Sequence, residues 1–160
     1  EFRRVLFRSL VDLARAKADF ASIVDVNDDR FLKPENMIKE IKDYCYETDQ
    51  KVPCDVGEIA MCVYNSLAHC YKNAVANIEE IFEKKFKRIN IFGGGCQNNF
   101  LNELVAKVTG KEVLAGPVEA TAIGNIVAQL LSYDIFKDLG QARAAIKESF
   151  HIVTFKPDDV

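Results

Sequence analysis

The chain has 160 residues, 49% of them apolar, and a formal charge of −3. That length and apolar content suit one globular domain with its own core. The slightly acidic balance argues against non-specific nucleic-acid binding, and no apolar run approaches the roughly 20 residues needed to span a bilayer. Five cysteines (Cys45, Cys54, Cys62, Cys70 and Cys96) form no Cys-x-x-Cys pair, and only His69 and His151 could assist a metal, so no zinc site is expected. No secretory signal pattern is present, and a cytoplasmic protein is the expectation.

In chain order, Glu1 to Ser9 reads as foreign: it is basic, lacks an initiating Met, and ends in Leu-Phe-Arg-Ser, which a sequencing-adapter end encodes when translated. The native part is expected to start at Leu10 and to continue a longer protein upstream. Leu10 to Phe20 reads as the end of a helical or loop segment, and Ile23 to Val26 as a short strand. Asn27-Asp28-Asp29-Arg30-Phe31 reads as a polar turn in which Arg30 pairs with an Asp. Lys33 to Asn36 opens a helix with Pro34 in its first turn, and Met37, Ile38, Ile41 and Tyr44 form its apolar face. That helix stops near Thr48. Asp55 then caps a long helix, with Glu58 completing a capping box. The helix runs to about Lys85 on a stripe of Ile59, Val63, Leu67, Cys70, Ala74, Ile78 and Ile81, and at 1.5 Å per residue it reaches roughly 40 Å. His69 reads as structural, and Glu79 to Lys87 as a solvated end. Cys45 and Cys62 flank this helix–turn–helix and can come close. A disulfide is open there, although a reducing compartment disfavours it.

Next comes Arg88-Ile89-Asn90-Ile91-Phe92-Gly93-Gly94-Gly95-Cys96-Gln97-Asn98-Asn99-Phe100. Ile89, Ile91 and Phe92 read as a buried strand that three glycines stop. A helix is expected from Cys96 to Gly110, with Asn98 and Asn99 in its first turn and Phe100, Leu101, Leu104, Val105 and Val108 on one face. Glycines remove every Cβ at this corner, and the free N–H groups of the new helix point over it, which is where phosphates and nucleotides bind. The corner lacks the lysine of a Walker loop, so a ligand would be held by backbone and amides. Lys111 to Ala115 follows as a second strand, without the acidic end of a dinucleotide fingerprint. After the turn Gly116-Pro117-Val118-Glu119, a helix over Ala120 to Leu131 carries small residues (Ala120, Ala122, Gly124 and Ala128) suited to close packing. Asp138 to Ser149 is the last helix, with Leu139, Ala142, Ala145 and Ile146 inward, and His151 to Phe155 is an extended tail.

Two blocks resemble the carboxy-terminal domain of FGGY-type carbohydrate kinases: Ile89 to Asn99, with its Gly-Gly-Gly-Cys-Gln-Asn turn, and Leu114 to Ile126, with Ala-Gly-Pro-Val-Glu-Ala ending in Gly124-Asn125. These, with Asn27 to Phe31, point to the subgroup that phosphorylates L-rhamnulose. The resemblance runs from about Phe20 to Phe155. It implies an α/β fold, helix-rich and with an incomplete sheet: part of an actin-like ATPase (ribonuclease H-like) domain truncated upstream, with residues 10–160 as the nucleotide-binding domain. It implies transfer of the ATP γ-phosphate to a ketose hydroxyl, with ATP and Mg2+ as cofactors, the sugar as partner, and the magnesium held mainly by ATP and an amino-terminal domain acting in cis. Gly94 and Asn98 match the nucleotide-contacting positions; Gly93, Gly95 and Gln97 shape the turn. Cys45 and Cys62 match a pair bridged in a relative. The catalytic Asp and the sugar ligands are expected upstream, so this piece alone is expected to be inactive. Two alternatives are a Rossmann-like dinucleotide or methyl-donor enzyme and a non-catalytic helical interaction module.

Overall fold

The computed structural model describes residues 2–159, and the side chains of residues 9–158. The chain divides into two compact units, Glu1–Glu83 and Lys84–Val160.

The first unit is helical. α1 (Phe2–Arg15) runs unbroken through the junction at Ser9; the side chains of residues 1–8 lie outside the described residues. α2 (Met37–Glu47) begins three residues after Pro34, which therefore lies outside it, because extended Asn36 caps it by accepting the Lys39 N–H at 3.1 Å. α3 (Val56–Ile81) is capped by Asp55, which accepts the Glu58 N–H at 2.9 Å. It ends at Phe82, because Glu83 turns left-handed at φ 49°. α1 and α3 pack together. Gly57 makes this approach possible: a Cβ there would lie 2.8 Å from the Leu13 carbonyl oxygen.

The buried face of α3 differs from the expected stripe. It holds Gly57, Glu58, Met61, Cys62, Tyr64, Ser66 and Ala68, whereas Val63, Ala74, Ile78 and Ile81 are exposed. On α2, Ile41 and Cys45 are buried, while Met37 and Ile38 are about half exposed. Glu79, expected in a solvated end, is buried. Ile23 to Val26 is not a strand. Side chains take its backbone groups: Gln50 bonds both N–H and C=O of Ile23 at 2.8 Å, and Ser66 Oγ accepts the Val24 N–H at 2.9 Å. Arg30 pairs with Asp28 at 3.4 Å, as the turn reading expects, and also with Glu47 at 2.8 Å.

The second unit is a three-stranded sheet in the order β1-β2-β3 with helices. β1 (Arg88–Ile91) runs parallel to β2 (Glu112–Ala115), with Ile91 opposite Ala115. α4 (Asn99–Thr109) makes the crossover and packs on β2. Gly110 ends α4 in the left-handed conformation at φ 66°. The tail becomes a strand, β3 (Val153–Phe155), antiparallel to β2. Only one face of the sheet is buried, by Ile91, Val113 and Ala115. The other, with Arg88, Asn90, Glu112, Leu114 and Thr154, lines an open groove. β1 is therefore half-buried, not fully buried as its apolar run suggests. α5 (Ala120–Ser132) and α6 (Leu139–Ser149, capped by Asp138) complete the unit. Gly124 on α5 meets no neighbour within 4 Å of a Cβ position, so the small-residue face is not packed here. On α6, Ala142 is buried but Leu139 is exposed.

Candidate functional site

The site is assembled where β1 ends. Phe92 continues the extended chain, and the three glycines then close a single 3-10 turn, Gly93–Gln97. The helix starts after this turn, not at Cys96. Asn98 is its N-cap, accepting the Leu101 N–H at 3.2 Å, and only Asn99 lies in the first turn proper.

Two backbone bonds tie the corner to the turn after β2. Gly116 N–H donates to the Ile91 carbonyl at 2.9 Å, and Gly93 N–H donates to the Pro117 carbonyl at 3.5 Å. The Gly116-Pro117 peptide is cis. Gly93 is the glycine that conformation requires, at φ 69°. Gly94 is different: it is exposed, its φ is unexceptional, and among the described residues no heavy atom beyond its chain neighbours comes within 4 Å of a Cβ built there. At Gly95 such a Cβ would meet only Ile91, at 3.6 Å. Gln97 is exposed and Asn98 half-buried. The structure thus brings Gly93, Gly94, Gly95, Gln97 and Asn98 into one open corner with a bare main chain in the middle.

One neighbour escaped the sequence reading. Asn102 on α4 is fully buried and donates from Nδ2 to the Cys96 carbonyl at 3.1 Å. The signal was an amide set among the apolar residues Phe100, Leu104 and Val105.

In the first unit, Cys45 and Cys62 are both buried and stand as free thiols that share a hydrogen bond. Burial, with Cys45 alongside, pushes the Cys62 thiol up to about 12. Cys54, Asp55 and Glu58 place three potential metal ligands within 4.8 Å of one another. Their atoms are already engaged. Glu58 accepts from the Cys54 thiol and backbone N–H, each at 2.9 Å, and from Lys51 at 2.7 Å, while Asp55 caps α3 and pairs with Lys17. These bonds, the Cys54 thiol first, hold the Glu58 carboxyl down at about 2. The group is a satisfied helix start.

The parallel β–α–β crossover and its glycine corner belong to an α/β domain of the ribonuclease H-like, actin-like ATPase class. Within that class, residues 7–133 match the model described as "FGGY family of carbohydrate kinases, C-terminal domain", and the chain belongs to this family. It is similar to proteins named rhamnulokinase. That of Halalkalibacterium halodurans is 53% identical over 156 residues, covering 98% of this chain and 33% of the relative. That of Oceanobacillus iheyensis is 54% identical over 143 residues, covering 89% and 30%. That of Bacillus subtilis is 45% identical over 154 residues, covering 96% and 32%. The chain therefore spans about a third of the length of the curated relatives it matches.

Proposed function

We propose that this chain is the nucleotide-binding part of a kinase that transfers the γ-phosphate of MgATP to O1 of L-rhamnulose, giving L-rhamnulose 1-phosphate. Family membership supports the reaction class, and the rhamnulokinase name of the relatives supports the sugar. The observation that carries the reading is the open main chain at Gly94, where an added Cβ would meet no described residue within 4 Å beyond its chain neighbours. Phosphoryl transfer depends mostly on positioning and charge neutralisation. In this reading, Gly94 and the Asn98 amide meet the nucleotide, and Gly93, Gly95 and Gln97 shape the turn. The stretch Gly93 to Asn98 has no carboxylate, so it offers Mg2+ no ligand of the usual kind. The metal comes with ATP, and we assign this chain no general base. Residues 10–160 alone would turn over no sugar. The partners are the nucleotide, the sugar and an amino-terminal domain in cis; the compartment is the cytoplasm. No helix among the described residues is long and apolar enough to cross a membrane.

A smaller proposal goes with this one: Cys45 and Cys62 can be bridged under oxidising conditions, which non-reducing mass mapping would test.

The function is tested by a coupled assay on the full-length protein with a panel of ketoses. The highest kcat/KM is expected for L-rhamnulose; turnover of a different ketose alone would reject the sugar, and no ATP-dependent turnover would reject the class. A dinucleotide or methyl-donor reading lacks an acidic residue where β2 ends in Ala115-Gly116-Pro117.

A further inference from the structure

Among the described residues, one buried side-chain atom has no hydrogen-bond partner: Oδ1 of Asn102. A leucine at this place would occupy similar space with no unpaired oxygen, so the amide is kept at a cost in stability. Its one bond shows what it does. Nδ2 holds the Cys96 carbonyl, the last main-chain acceptor before Gln97, from a position with no exposure to solvent. Beyond the 3-10 turn's own backbone bonds, the glycine turn is tied at its entry by the long bond from Gly93 to Pro117 and at its exit by Asn98 N–H to the Gly95 carbonyl at 3.2 Å. At Gly94, between these ties, an added Cβ would meet no heavy atom of the described residues within 4 Å, its chain neighbours apart.

We infer that Asn102 is a positioning residue for the nucleotide: its buried amide sets the peptide groups from Gly94 to Cys96, so the corner is shaped before the ligand arrives. This rests on the nucleotide reading of the corner given above. Asn102 does not reach the ligand; it acts through the Cys96 carbonyl.

The test uses the full-length protein carrying Asn102→Leu, with MgATP and sugar varied in turn. The KM for MgATP is expected to rise about tenfold, and that for the sugar to stay within about twofold, as the loss of one buried hydrogen bond allows. The thermal midpoint is not the readout, because the leucine removes one unpaired oxygen and leaves the Cys96 carbonyl without its donor. An unchanged KM for MgATP, whatever the midpoint does, overturns the inference. Asn102→Asp, of equal size but with the donor replaced by an acceptor, is read in the same way if the leucine variant does not accumulate folded. Gly94→Val separates the two layers. If it leaves the KM for MgATP unchanged, the nucleotide reading falls and this inference falls with it. If it raises that KM while both Asn102 variants do not, only the role of Asn102 is lost.

Discussion

At Glu58 a single carboxylate links a helix start to the pH dependence of the fold. Its pKa, held at about 2 against an ordinary 4.5, means that the folded state favours the charged form. That contribution is present above pH 4.5 and is lost as pH falls toward 2. Glu58→Gln should therefore lose less stability than wild type between those pH values, as read from urea midpoints at each pH. The same contact governs Cys54, whose thiol donates to Glu58 and is raised chiefly by that bond. Glu58→Gln should speed alkylation of Cys54 near pH 8, measured by mass spectrometry; an unchanged rate would show that the contact does not persist in solution. Gly57 gives a third residue-scale test. Gly57→Ala puts a methyl 2.8 Å from the Leu13 carbonyl oxygen, and overpacking of this kind should cost about 1–3 kcal/mol in urea unfolding. Sequence pattern found the Asp55 cap and expected the Glu58 partner. It did not foresee that Glu58 would pass its own cap and bond the Cys54 N–H, because that depends on how the chain enters the helix.

Among the elements, the helices and strands after Arg88 were the most legible. β1, β2, α5 and α6 lie within a residue of where glycines, caps and apolar periodicity place them, since each signal is local, while α4 starts at Asn99, three residues after the expected Cys96. Faces were less legible than bounds. The expected stripe on α3 is half exposed at Ile78 and more at Ile81, while small and polar residues such as Ser66 and Ala68 are buried. Hydrophobicity cannot flag a serine whose hydroxyl serves the backbone of a distant segment, as Ser66 serves Val24. The missing strand at Ile23 has the same cause: its bonds go to side chains far along the chain. At this scale the core reading is tested on α2. Ile41 is 3% exposed, and Ile41→Ala should cost about 2–5 kcal/mol, whereas Ile38→Ala, at an exposed site, should cost far less in the same measurement.

For the molecule as a whole, the sequence carried the family through blocks that reach from Ile89 to Ile126, and that membership stands on a match over residues 7–133. The division into two units was not legible, because no Pro- or Gly-rich linker separates Glu83 from Lys84. The candidate corner was legible because glycine is the one residue whose absence of a side chain is itself a local signal. Asn102, which bonds its Cys96 carbonyl, was not, since an amide among apolar residues signals burial but not the group it will face. The central claim is that the bare main chain at Gly94 receives the nucleotide. Calorimetric titration of MgADP into the full-length protein and its Gly94→Val variant tests this most directly, because among the described residues no heavy atom beyond the chain neighbours lies within 4 Å of the added Cβ to confuse folding with binding. We expect a loss of affinity of at least about tenfold, or 1.4 kcal/mol, with an unchanged thermal midpoint. Equal affinity in the two proteins would contradict the account.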